Sequence, residues 1–213
     1  MPTTVLLIRH PESAWNARGI YQGQIDTPLS PLGRVQAELV AARLGRERID
    51  GVVCSPLRRA RTLARAICRY HRLTPRPDGR LTEISHGAWE GLSRREVRER
   101  FPQMHRAWVE RPHAVTFPGG ESLEDVHRRC VAPVAALLAL AGDGVWAVVT
   151  HDTVARLVIA AARDEPVVGF AGVSLENAAI TTLVGPRLAG SVRRVNEVDH
   201  LGEHRVDLGG QAL

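Results

Sequence analysis

Three short runs of β-forming residues, each ended by a polar or charged residue, constrain this chain more than any other feature. Val5-Leu6-Leu7-Ile8 runs into Arg9-His10, Val52-Val53-Cys54 into Ser55, and Val145 to Val149 into Thr150-His151. Such apolar runs suit parallel strands buried on both faces, and parallel sheets place ligand sites at the C-terminal ends of their strands.

Parallel strands need crossovers, and the intervening sequence supplies helices. A loop from Trp15 to Leu29 ends at Ser30-Pro31, an N-cap followed by proline at the first helical position. Leu32, Val35, Leu39, Val40 and Leu44 then fall at helical spacing. Gly51 to Ser55 reads as the next strand and Arg59 to Arg72 as the next helix. This alternation predicts an α/β fold, a three-layer sandwich with a mostly parallel central sheet and helices on both faces. At 213 residues, one domain spanning 1–213 is expected.

Between Pro75 and Pro118 the period breaks up, with prolines separating loops from short helices, and Ser93-Arg94-Arg95-Glu96 reads as a capping box. Residues at about 75–120 are therefore expected to form a lid-like insertion over the C-terminal edge of the sheet. Ser122 opens another helix, with Leu123, Val126, Val134, Leu137 and Leu138 on one face and Pro133 expected to kink it. Asp152 is expected to cap a helix running to about Ala162. Ala178 to Val184 and Val192 to Asn196 read as two last strands before a polar tail.

Composition removes several function classes. All 28 basic residues are arginine, so Schiff-base and Walker-type lysine chemistry is excluded. The net charge of +5 owes much to Arg58, Arg59, Arg61, Arg65, Arg69 and Arg72, a stripe that could meet nucleic acid. Aromatic residues are only 4% of the chain, so no nucleic-acid partner is expected. Three cysteines without a C-x-x-C pair suit a reducing compartment, with Cys54 in the core. No apolar run approaches the ~20 residues of a membrane span. A soluble, cytoplasmic protein is expected, with no membrane partner.

Taken singly, each reactive residue has an ordinary explanation. Arg59 fits a solvated stripe, His151 a histidine donating to nearby backbone, and Glu83 is one of 23 acids. Their order in the chain changes the reading. Arg9-His10-Pro11-Glu12-Ser13, Trp15-Asn16, Ser55-Pro56-Leu57-Arg58-Arg59-Ala60, Glu83 with Gly87 and Trp89-Glu90-Gly91, Pro118-Gly119-Gly120-Glu121-Ser122 and His151 together resemble the histidine phosphatase (phosphoglycerate mutase-like) superfamily. The match covers nearly the whole chain.

The resemblance implies that His10 becomes phosphohistidine, that Arg9, Arg59 and His151 hold the phosphoryl group, and that Glu83 is the proton donor. The chemistry agrees: phosphoryl transfer needs placed positive charge around the equatorial oxygens, and the arginine fork supplies it. Those cations should also depress the pKa of His10 and keep its ring nucleophilic. The scheme needs no metal and no cofactor. Two departures stand out: Pro11 replaces a glycine usual after the first histidine, and Asp152-Thr153 replaces Gly-Gly after the second.

The chain is compact for a cofactor-dependent phosphoglycerate mutase, so a phosphatase is expected, with the mutase as the alternative. Ile20-Tyr21-Gln22-Gly23, Glu83-Ile84-Ser85-His86-Gly87 and His200-Leu201-Gly202-Glu203 further resemble metal-independent phosphoserine phosphatases. By that resemblance Asn16, Gln22, Gly23, His86, Asp152, His200 and Glu203 would contact substrate, the C-terminal segment closing over it. The implied partner is a small phosphorylated metabolite, L-phosphoserine first, then phosphoglycerate-like or sugar phosphates. A homodimer is the default assembly.

Overall fold

Alternate side chains of the first strand, Thr4–Arg9 (β1), enter two different cores: Val5 and Leu7 one, Leu6 and Ile8 the other. This is why the strand reads as an unbroken apolar run, since both faces are dry. The structure, a computed structural model, describes residues 2–206; the remainder of the polar tail, 207–213, lies outside the described residues.

In chain order, β1 is followed by Pro31–Leu44 (α1), Gly51–Cys54 (β2), Arg58–His71 (α2) and Arg76–Pro77 (β3). Then come Arg94–Arg100 (α3), Pro102–Glu110 (α4), Leu123–Leu138 (α5), Val145–Thr150 (β4) and Asp152–Ala162 (α6). Ile180–Val184 (β5) and Val192–Glu197 (β6) complete the set. The sheet order is β3-β2-β4-β1-β5-β6. β4 pairs in parallel with β1 and β2, β3 pairs in parallel with β2, and β5 is antiparallel to both β1 and β6. The core containing Leu6 and Ile8 lies under α1 and α2, and the core containing Val5 and Leu7 under α5 and α6. The fold is thus the expected three-layer α/β sandwich with a mostly parallel sheet. From β1 the chain crosses β4 to reach β2, whereas from β4 it crosses β1 to reach β5. The directions diverge between β1 and β4, which makes the crevice at their C-terminal ends the switch point of the sheet.

The buried face of α1 is not the one its aliphatic spacing predicts. Val35 is exposed and Leu32 and Leu39 only half-buried, while Gly33, Gln36, Ala37, Val40, Ala41 and Leu44 face inward. Close backbone approach decides this: a Cβ on Gly33 would sit 1.8 Å from the Glu12 carbonyl oxygen. Gln36 then accepts from the Glu12 N–H (2.8 Å) and donates to the His204 carbonyl (2.8 Å), so burial leaves its amide satisfied.

Asp152 does not cap its helix. His151 holds the N-cap position, and Asp152, first in α6, turns its carboxylate to Arg9 and Arg156. In the segment 75–120, β3 adds a two-residue edge strand that the proline pattern concealed. The capping box of Ser93 and Glu96 opens α3. Trp89, Val97, Trp108 and Phe117 from this segment join the same core as α5 and α6.

Candidate active site

Arg9 lies opposite Thr150 in register, so the next residues of the two strands, His10 and His151, emerge together at the switch point. Their rings meet edge to face with centroids 5.0 Å apart. The backbone N–H of His10 donates to the Thr150 carbonyl (2.8 Å), tying the two strand ends together.

His10 Nδ1 is 2.6 Å from the carbonyl oxygen of Pro11. A carbonyl only accepts, so Nδ1 carries the proton and Nε2 keeps its lone pair. Burial first, then the Arg59 and Arg9 charges, hold this imidazole well below its ordinary pKa of 6.5. Pro11 therefore serves the ring through its carbonyl, which proline retains. The second histidine, His151, is wholly buried, with Nε2 2.7 Å from Ser55 Oγ and no partner for Nδ1 among the described residues. Burial and Arg59 likewise hold it well below 6.5.

Two arginines bring positive charge to this pair. Arg59, in the first turn of α2, donates from Nη1 to the Ile25 carbonyl (2.9 Å) and from Nη2 to the Gly23 carbonyl (2.7 Å). Its Nε is buried with no partner among the described residues. Burial draws its pKa down to about 10, which leaves it cationic at neutral pH. Arg9 donates to the Leu175 carbonyl (2.6 Å) and pairs with Asp152 at 3.1 Å; the other oxygen of Asp152 meets Arg156 at 3.2 Å.

Glu83 supplies a buried carboxyl. Its Oε1 accepts from the Ile84 N–H (2.9 Å), and its Oε2 lies 3.5 Å from the Thr153 N–H at the start of α6. Burial first and the Asp152 charge second raise its pKa above the ordinary 4.5, favouring the protonated form.

Neutral polar groups complete the wall. The amide oxygen of Asn16 accepts from the Ser13 N–H (3.1 Å), and that of Gln22 from the Thr27 hydroxyl (2.6 Å). Both amides thus spend their oxygens inward and keep their NH₂ ends as donors for the cleft. Gly23 needs its missing side chain: its φ is +50°, and a Cβ would lie 1.9 Å from the Glu90 carboxylate. His86 is packed among Tyr21, Trp108 and Phe117, with neither ring nitrogen partnered among the described residues and its pKa lowered by burial to about 3. It is a neutral group at physiological pH. The cleft lined by Arg9, His10, Arg59, Glu83 and these residues encloses about 360 Å³ including its mouth. An imidazole lone pair, two buried guanidinium groups and a carboxyl whose protonated form burial favours, all around one small space, suit transfer of an anionic group to nitrogen.

The model of the histidine phosphatase superfamily (branch 1) matches residues 5–198. This chain belongs to that superfamily. The histidine phosphatase is 34% identical to phosphoserine phosphatase 1 of Hydrogenobacter thermophilus, over 95% of this chain and 96% of that one. It is 33% identical to a probable phosphoglycerate mutase of Yersinia pestis, over 69% and 68% of the two chains. Its fold superposes on the native structure of a mycobacterial glucosyl-3-phosphoglycerate phosphatase with a TM-score of 0.80, at 31% identity, covering 92% of this chain and 97% of the other. It is a phosphatase.

Of the residues singled out in the sequence, this histidine phosphatase gathers Arg9, His10, Asn16, Gln22, Gly23, Arg59, Glu83, His86 and Asp152 around one cleft, with His151 against His10. His200 and Glu203 are not brought there. On the α1 face of the sheet, His200 Nε2 donates to the Ala178 carbonyl (3.2 Å), in a groove shared with Arg43 and Glu47. Glu203 is exposed to solvent. The described part of the C-terminal segment packs along α1, where Gln36 binds the His204 carbonyl and Leu201 enters the core under α1. Ser55, Thr153 and Arg156 escaped sequence reasoning as site residues. Ser55 opens the quoted motif at 55–60 and Thr153 belongs to the quoted pair Asp152-Thr153, which was the available signal; Arg156 is one arginine among 28.

Proposed function

We propose that this enzyme hydrolyses small phosphomonoesters through a phosphohistidine on His10, with L-phosphoserine as its substrate. The observation that carries the reading is His10 itself: a buried, neutral ring whose Nδ1 is committed to the Pro11 carbonyl, beside Arg9 and Arg59. Nε2 attacks phosphorus as the ester P–O bond breaks. Arg9, Arg59 and His151 bind the phosphoryl oxygens, and protonated Glu83 gives its proton to the departing alkoxide. The carboxylate so formed then takes a proton from water, whose oxygen attacks phosphorus and breaks the N–P bond, releasing phosphate and a neutral His10.

Support for phosphoserine comes from the relative that matches the chain end to end and from the cleft wall. Asp152 offers a carboxylate toward the substrate's ammonium, and Asn16, Gln22 and His86 offer neutral polar contacts. The segment 75–120 forms the wall that carries Glu83 and His86 over the strand ends. The mycobacterial and Yersinia relatives keep phosphoglycerate-like substrates and mutase activity as the second reading. Among the described residues no group of three or more His, Cys, Asp or Glu is arranged to hold a metal ion, and the proposed chemistry draws only on side chains.

The test is a panel of L-phosphoserine, 3-phosphoglycerate, sugar phosphates and p-nitrophenyl phosphate, assayed in chelator with His10→Ala as control. Phosphate release from L-phosphoserine above the others, absent in the variant, is the expected result. Isomerisation of 3-phosphoglycerate without phosphate release overturns the hydrolytic assignment.

A further inference from the structure

The motif Pro118-Gly119-Gly120-Glu121-Ser122 touches no part of the chemistry described so far, yet it is built closely against the loop that carries Glu83. A Cβ on Gly120 would lie 2.3 Å from the Ser85 carbonyl oxygen, and one on Gly87 2.1 Å from the Pro118 carbonyl oxygen. Glu121 follows this contact and meets Arg129 of α5. We propose that Arg129, held by Glu121, is the positioning residue that fixes Glu83 for proton transfer; this rests on the role of Glu83 given above.

Every donor of the Arg129 guanidinium is engaged. Nε and one Nη2 proton bind the two oxygens of Glu121 as a fork (2.8 and 2.9 Å). The remaining protons go to three backbone carbonyls of the acid loop: Nη1 to Arg80 (2.8 Å) and Thr82 (2.5 Å), and Nη2 to Glu83 itself (3.0 Å). Five donors thus meet five acceptors, a pattern that only the planar five-donor fork of arginine completes. Glu121 works on the same loop from the other side. Its Oε2 accepts from the Ser85 N–H (2.9 Å) and from Gln24 Nε2 (3.4 Å), and its own N–H donates to the Ser85 carbonyl (2.9 Å). Gln24 Nε2 in turn reaches the Glu83 carbonyl at 3.1 Å.

The clamp therefore holds the backbone on both sides of the acid. Among the described residues the Glu83 carboxyl accepts from two backbone N–H groups, one of them at 3.5 Å, so its placement depends on where the loop is held. The pair is about four-fifths shielded from solvent, with side-chain exposures of 20% and 23%. Lysine at position 129 would keep the charge but lose the fork.

The experiment compares an alkyl phosphate, L-phosphoserine or whichever alkyl ester the panel shows to be turned over, with p-nitrophenyl phosphate. An alkoxide leaving group needs the proton of Glu83; nitrophenolate departs with little help. Arg129→Lys should lower kcat/KM for the alkyl ester by about 10-fold or more while p-nitrophenyl phosphate changes by less than about threefold, since small misplacements of a catalytic group carry costs of that order. Glu121→Gln should move the same ratio in the same direction, and it decides the matter should Arg129→Lys fail to fold. Equal losses on both substrates, or no loss on either, overturn the proposal. Glu83→Gln is run alongside. If it shows no dependence on the leaving group, the acid role of Glu83 fails; if it does and the clamp variants do not, only the clamp fails.

Discussion

Ser55 Oγ lies 2.7 Å from Nε2 of His151, and the opposite ring nitrogen, Nδ1, is buried with no partner among the described residues. The ring is held neutral by burial and by Arg59, so which nitrogen carries the proton is decided by this contact. If the Ser55 hydroxyl donates to Nε2, Nδ1 bears hydrogen and can donate to a phosphoryl oxygen. Ser55→Ala removes that preference. It should weaken competitive inhibition by orthophosphate and vanadate by about 10-fold, on the scale of one lost hydrogen bond to a charged group. Inhibition constants unchanged from wild type would dismiss the contact as packing.

The nucleophile makes a prediction about acid. Because His10 is held well below 6.5, it stays neutral at a pH where an ordinary histidine is half protonated. The acidic limb of kcat/KM should therefore fall well below pH 6.5, and an inflection at 6.5 would contradict the described environment. His10→Ala should lower turnover by about 10³-fold or more and abolish acid-labile phosphate on the enzyme after quenching in alkali.

Glu83 and Asp152 are coupled. Asp152 raises the pKa of Glu83, and the leaving-group step needs Glu83 protonated, so activity falls as pH rises through the raised value. Asp152→Asn removes that charge and should move the basic limb of kcat/KM to lower pH. It also leaves the buried Arg9 without its anionic partner at 3.1 Å, at a cost of about 3 kcal/mol in stability. A basic limb that stays in place or moves upward argues against the coupling.

The same carboxyl affects folding. A group whose pKa is raised in the folded chain contributes stability fully below its ordinary value, here 4.5, and loses it as pH rises through the folded value. Glu83→Gln is a neutral copy that pays no ionisation cost. Its melting temperature should exceed wild type at pH 8 and match it near pH 4. A difference independent of pH would show that the carboxyl is not strained by ionisation.

Gly87 bears on the wall behind the acid. It has φ +50°, and a Cβ would meet backbone, the Pro118 carbonyl oxygen, at 2.1 Å. Gly87→Ala should destabilise the chain by about 2 kcal/mol, from positive-φ strain together with displacement of the Pro118-Gly119-Gly120 backbone. Thermal denaturation measures this, and a loss below about 0.5 kcal/mol would mean the two loops separate freely.

Local rules account for what was legible. Apolar runs at 5–8, 51–54 and 145–149 announced strands buried on both faces, and Ser30-Pro31 and Ser93-Glu96 announced helix starts. Strand ends in such a sheet converge, which marked Arg9, His10 and His151 without coordinates, whereas Arg59 on α2 and Glu83 in a loop were read from the resemblance to histidine phosphatases. The failures were long-range. On α1, aliphatic spacing pointed to Val35, but close approach at Gly33 and the amide bonds of Gln36 to residues 12 and 204 chose another face. On α6, Asp152 looked like a cap until Arg9 and Arg156 were placed beside it.

The sequence by itself determined the layered sheet and the polar residues that end its parallel strands, Arg9-His10, Ser55 and Thr150-His151, because periodicity and strand ends are local properties of the chain. Only the tertiary structure decided which nitrogen of His10 is free, that His200 faces a different groove, and that Arg129, one arginine among 28, grips the backbone of Glu83. Those outcomes rest on hydrogen bonds whose acceptors are backbone carbonyls. Every residue has such a carbonyl, so nothing in a side-chain pattern marks which one a distant donor will reach.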